Sequence, residues 1–99
     1  LGKIEKILRD KSIQSIECPG PGKRILIKKL NNINSTSLVL GQPEITKVIQ
    51  SFASQAKIPV VGGILKAAVG DMIISAVISE YVGSRFIINK ITPYSMLQR

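Results

Sequence analysis

The side chains best suited to chemistry in this sequence are cationic. Gly83-Ser84-Arg85 is followed five positions on by Lys90, while Lys23, Arg24, Lys28 and Lys29 crowd an earlier segment. A guanidinium offers phosphate or carboxylate a planar, two-pronged donor, whereas an ammonium acts as a point charge. Gly83 permits a tight turn, so Gly83 and Ser84 read as the support of a strand that begins at Arg85. Arg85 and Lys90 lie an odd number of residues apart, so an ideal strand faces them oppositely and gives them different neighbours. An exposed arginine at a turn is the plainer reading. The Lys23 to Lys29 cluster suits nucleic acid or a lipid head group, or else a solvated strand edge whose lysines block strand addition.

Other chemistries fall away on spacing. Gly20-Pro21-Gly22-Lys23 lacks the G-x-x-x-x-G-K-[ST] pattern, and Arg24 and a strand follow it where a phosphate loop needs Ser or Thr and a helix. It reads as a hairpin turn, and Gly62-Gly63 lacks dinucleotide spacing. Glu17, Asp71 and Glu80 form no D-x-D or E-x-x-E pair, which argues against a carboxylate acid/base couple or a hard-metal site. Asp71 after Gly70 is a turn residue capping its own backbone. Cys18 is the single cysteine and histidine is absent, excluding an internal disulfide, a Cys/His zinc site and an imidazole base. No metal site is expected.

The elements that must position these residues follow from composition and period. Ninety-nine residues, 44% hydrophobic and 20% charged, fill one modest core. The net charge of +8 points to an anionic partner, or to a lysine-rich solvated surface. The apolar run Met72 to Ile78 is short and interrupted by Ser75, so membrane insertion is not expected, and no leader peptide is visible. A reducing, cytoplasmic setting fits the cysteine usage.

Along the chain, Lys3 to Asp10 spaces Ile4, Ile7 and Leu8 as a short amphipathic helix, with Glu5 four before Arg9. Ser12 to Cys18 alternates through Gln14, Ile16 and Cys18 as a half-buried strand, and Pro19 to Gly22 turns the chain. Lys23 to Leu30 sets Ile25 and Ile27 against Arg24, Leu26 and Lys28. The polar stretch Asn31 to Thr36 reads as a loop and Ser37 to Leu40 as a short strand. Gly41-Gln42-Pro43-Glu44 opens a long helix whose buried stripe is Ile45, Val48, Ile49, Phe52, Ala53 and Ala56, ended by Pro59. Ile64 to Val69 suits strand or short helix. Asp71 to Glu80 has no clean period, though its β-branched content favours strand, and Arg85 to Ile91 alternates well. The sum is an α+β domain: a short N-terminal helix, an antiparallel or mixed sheet of about five to six strands, and one long amphipathic helix.

In this order the elements resemble the domain that precedes the catalytic core in the secretion ATPase superfamily, the hexameric motors of type II and type IV secretion, archaeal pili and the archaellum. The resemblance runs from Ile4 to Tyr94. It rests on the strand Ile13 to Glu17, the Pro19 to Gly22 turn, the basic strand, the helix Glu44 to Ala56, the Gly70-Asp71 turn, and the glycine-led strand Gly83 to Lys90. Ile-Ser-Ala-Val-Ile-Ser-Glu-Tyr-Val-Gly-Ser-Arg-Phe, Ile74 to Phe86, is similar to the archaeal branch. Met72 and Ile73 stand where many relatives carry an arginine. The resemblance implies a single domain over 1–92, with 93–99 opening a linker to an absent ATPase domain that would hold the phosphate loop, ATP and magnesium. It implies no catalysis and no cofactor in the present chain, and a cytoplasmic location peripheral to the membrane. The implied partners are that ATPase domain, neighbouring subunits of a hexamer and a membrane platform protein. Arg85 and Lys90 would face the nucleotide. A small basic nucleic-acid-binding module is the alternative, made the weaker by the absence of interleaved aromatics.

Overall fold

The chain enters through a 3-10 turn, Gly2–Ile4, that runs into α1, Glu5–Arg9, and buries Ile4 and Leu8. The computed structural model describes residues 2–91. The expected Glu5–Arg9 pair is present at 3.9 Å on the exposed side of α1. Six strands follow: β1 Ile13–Cys18, β2 Arg24–Lys29, β3 Asn32–Val39, β4 Ile64–Val69, β5 Met72–Val77 and β6 Arg85–Lys90. The long helix α2, Gln42–Ala56, lies between β3 and β4 in the chain.

The sheet is antiparallel throughout, in the order β3-β2-β1-β6-β5-β4. It is two three-stranded meanders joined at its centre by β1 and β6, with α2 carrying the chain from one edge to the other. One face is covered by α1 and α2 and packs Ile16, Ile25, Leu65, Ile74, Phe86 and Ile88 against Ile45, Ile49 and Phe52. The other face is open. Burial of a large apolar side chain contributes roughly 1.5–3 kcal/mol, so this one-sided core supplies the main drive to fold.

Capping explains the bounds of α2. Gly41 is extended at the N-cap, and its N–H donates to the Glu44 carboxylate at 3.0 Å. That bond, helped by Lys3, holds the Glu44 carboxyl below its ordinary range against the opposing effect of burial. At the other end Lys57 adopts a left-handed conformation, φ 56°. Its N–H donates to the Ser54 carbonyl while Ile58 N–H donates to that of Ala53, closing the last turn. The stripe Ile45, Val48, Ile49 and Phe52 is buried, with Ala53 and Ala56 packed at its margin.

Two segments differ from the sequence expectation, and the structure decides a third that was open. Residues 32–36 are not loop: β3 runs from Asn32 to Val39 and pairs along β2. It is an edge strand, exposed over most of its length, so it shows no apolar alternation that a sequence could reveal. Pairing is imposed by a two-residue turn, Leu30 and Asn31, both at positive φ (49° and 65°). In β1 a bulge between Ile13 and Ser15 puts Ile13 in the core and leaves Gln14 outside, where its side-chain carbonyl accepts the Asn31 N–H. The open choices at 64–69 and 71–80 resolve as β4 and β5, hinged on Gly70-Asp71, with β5 ending at Val77.

Leu30 is 83% exposed in a conformation that costs a residue with a Cβ about 1–2 kcal/mol. Leu30→Asn is therefore expected to stabilise the fold by roughly 0.5–1 kcal/mol. A urea midpoint that stays put or falls would contradict the assignment of strain to this turn.

Candidate functional site

β6 presents its side chains alternately: Arg85, Ile87 and Asn89 to the open face, Phe86 and Ile88 to the core. Lys90 follows the core side and emerges at the far end of the strand, beneath the end of α1. Its Nζ donates to the Asp10 carbonyl at 2.7 Å. Burial pulls the Lys90 ammonium below its ordinary range, and the nearby Asp71 and Asp10 carboxylates oppose that. Lys90 thus closes the C-terminal end of α1, where exposed carbonyls favour a cation. Arg85 and Lys90 lie on opposite faces at opposite ends of one strand and do not share a site.

The entry to Arg85 is built by three segments meeting. Ser84 is fully buried; its Oγ accepts the Gln42 amide at 2.7 Å and the Ser79 N–H at 3.2 Å. The Ser84 N–H donates to the Gln42 side-chain carbonyl at 2.9 Å, so the first turn of α2 and the start of β6 are bonded reciprocally. Gly83 sits at φ 84°, and a Cβ there would come within 2.5 Å of Pro21 Cδ. The Pro19 to Gly22 loop is itself fixed by Gly22 N–H donating to the Leu40 carbonyl at 2.9 Å. Gly20 to Lys23 is a turn, as read from the sequence, with Lys23 N–H donating to the Gly20 carbonyl.

The four clustered cations separate in space. Lys23 is exposed in the turn, while Arg24 and Lys28 fall on the open face. Lys29 turns to the helix side and pairs with Asp10, Nζ to Oδ2 3.6 Å. Asp10 also accepts from Ser12, through its N–H at 2.9 Å and its hydroxyl at 2.6 Å. These bonds, chiefly those from Ser12 and then the charge of Lys29, hold the Asp10 carboxyl below its ordinary range.

A folded-state pKa that is depressed gives stability above the unfolded value, lost as pH falls through the folded one. Asp10 and Glu44 should both act this way, so stability is expected to decline below about pH 4. Asp10→Asn should flatten that decline; an unchanged slope in acid urea melts would remove Asp10 from the explanation.

The open face orders its residues in rows. One row reads Leu26, Glu17, Ile87, Ser75 and Lys66 across β2, β1, β6, β5 and β4. The next, toward the loops, includes Arg85, Val77 and Ile64. Between them lies a depression of about 420 Å³ lined by Glu17, Pro19, Ile64, Lys66, Ser75 and Arg85. A second depression, about 460 Å³, lies between the 3-10 turn and α2; the Lys3–Glu44 pair, 3.4 Å, is at its rim. The first holds Arg85 and the more chemically versatile lining.

Sequence reading did not single out Lys66. Its only signal is a polar position within an apolar strand, and its place in the same depression as Arg85 depends on a register that spans three strands. Cys18 is in the core, where burial pushes its thiol up, away from reactivity. Among the described residues no three of His, Cys, Asp and Glu gather as a metal site. Among the same residues no helix is long and apolar enough to cross a membrane.

No protein-family model matches the chain, and no curated protein matches it in sequence. Among solved structures it is similar to the VirB11 ATPase from the Brucella suis type IV secretion system, crystallised in complex with sulphate. The likeness has a TM-score of 0.72 at 15% identity and covers 87% of this chain. It takes up 27% of VirB11, so the chain spans about a quarter of that protein's length. What the two share at this identity is the fold: six antiparallel strands under one long helix, recurring within a type IV secretion ATPase.

Proposed function

We propose that this chain is a non-hydrolysing accessory domain of a secretion or pilus ATPase, moving against an ATP-hydrolysing domain of the same polypeptide. The observation that carries this reading is the fold likeness to VirB11 over 87% of the chain. The sequence order of elements supports it independently, and its wording favours an archaeal branch. In this reading ATP and magnesium belong to the hydrolysing domain, Arg85 faces the nucleotide across the cleft, and the further partners are neighbouring ring subunits and a membrane platform protein. Lys90, the other residue expected to face the nucleotide, bonds the Asp10 carbonyl on the opposite face of β6 from Arg85.

The nucleic-acid alternative has less support. Its basic residues diverge over two faces, and the open face carries no aromatic platform among the described residues: Phe52 and Phe86 are buried and Tyr81 lies in the β5–β6 loop.

The test begins with the reading frame past Arg99. A frame that continues into G-x-x-x-x-G-K-[ST] supports the proposal, and Arg85→Gln in that full product should then slow ATP hydrolysis roughly tenfold or more. A frame that stops without such a motif, with salt-steep binding of single-stranded DNA by the chain, would replace it with the alternative.

A further inference from the structure

Arg85 has a partner on the open face that spacing along the sequence hides. β2 and β6 are the two neighbours of β1, and Glu17 of β1 lies opposite Leu26 on one side and Ile87 on the other. Both ladders are antiparallel, so one step of two residues beyond Glu17 brings Arg24 and Arg85 level, flanking Pro19. Two inter-strand spacings separate their Cα atoms by roughly 10 Å. Arg24 and Arg85 are exposed, and both point away from the core because Ile25 and Phe86 point into it. Neither has an ion-pair partner among the described residues; the ion pairs there join Glu5 to Arg9, Asp10 to Lys29 and Glu44 to Lys3.

We infer that Arg24 and Arg85 form a two-armed clamp for a phosphoryl oxyanion above Pro19, at the margin of the 420 Å³ depression. The inference rests on the reading of Arg85 as nucleotide-facing and supplies a second arm on the same face of the sheet. Two guanidiniums suit a tetrahedral anion with several oxygens, because each offers a pair of parallel donors. Glu17, one row away in β1 and exposed on the same face, sets a negative charge near the site that opposes an incoming anion. Pro19, the residue after β1, stands between the arginines and leaves the space above it free of a side-chain charge.

The experiment is titration of the 99-residue chain with pyrophosphate, followed by amide chemical shifts, with ATP and inorganic phosphate titrated in parallel. Arg24→Gln and Arg85→Gln should each weaken pyrophosphate binding roughly tenfold. Glu17→Gln should tighten it about threefold. Lys47→Gln and Lys57→Gln, which remove the same charge on and after α2, should leave it within about twofold. Wild-type affinity in Arg24→Gln with loss in Arg85→Gln overturns the clamp and spares the reading of Arg85. Wild-type affinity in both overturns the two together, as does equal weakening by all four charge removals. ATP binding tighter than pyrophosphate identifies the ligand as a nucleotide; equal binding identifies the phosphate group alone.

Discussion

Gly83→Ala is expected to destabilise the domain by about 3 kcal/mol. Two costs add. The residue sits at φ 84°, a backbone region that any Cβ makes unfavourable by about 1–2 kcal/mol. The new methyl would also lie 2.5 Å from Pro21 Cδ, and a pyrrolidine ring fixed in a short loop cannot swing aside as a long side chain would. Overpacking of that kind costs about 1–3 kcal/mol. Against a total stability of about 5–15 kcal/mol this is a large loss, and for a domain this small it lowers the melting temperature by more than about 10 °C. Pro21→Ala should recover part of the loss in the double variant, with a coupling of about 1 kcal/mol or more. A melting temperature of Gly83→Ala close to that of the parent, or strict additivity with Pro21→Ala, would show that the loop yields and that Gly83 is not a packing constraint.

Ser84→Ala should cost about 2 kcal/mol. The hydroxyl is fully buried and accepts from both the Gln42 amide and the Ser79 N–H, so its removal leaves two donors without their partner. The penalty for an orphaned buried donor is about 1–3 kcal/mol, larger than the net worth of the bond itself. Gln42→Ala should cost less when Ser84 is already alanine than when it is not, because the two share one bonded unit. Additive losses would mean that water replaces either partner freely. The pair also bears on function: Arg85 is the residue after Ser84, so loosening the bond between α2 and β6 should weaken pyrophosphate binding while Arg85 itself is intact.

Much of this was legible from local chemistry. The N-cap glycine, the first-turn proline and Glu44 mark the start of α2, and Ile45, Val48, Ile49 and Phe52 form its buried stripe. Gly70-Asp71 marks the β4–β5 hairpin, and the alternation of β6 sends Arg85 and Lys90 to opposite faces. What escaped depends on partners distant in sequence. β3 carries no apolar period because an edge strand exposed over most of its length needs none; β2 and a turn without glycine shape it. The bulge in β1 exchanges Gln14 for Ile13 in the core, a shift that only pairing reveals. The reciprocal bond of Gln42 and Ser84 spans 42 positions, and the alignment of Arg24 with Arg85 requires two registers at once. Arg24 and Arg85 could each be named from the sequence; that they share one face, two strands apart, could not.

The central pairing of β1 with β6 has a mechanical consequence. The two strands are antiparallel, so the chain enters one and leaves the other at the same end of the sheet, where Ser15 faces Asn89. Ladder bonds between antiparallel strands lie across the strand direction. A pull that separates those two ends loads the bonds in succession, opening the sheet as a zip between its meanders. Asp10 stands where such a zip would start, holding Lys29 of β2 by its carboxylate and Lys90 of β6 by its carbonyl. It is the catch on the seam: the Lys90 bond spans the gap between the meanders, and the Lys29 pair anchors Asp10 to its own side.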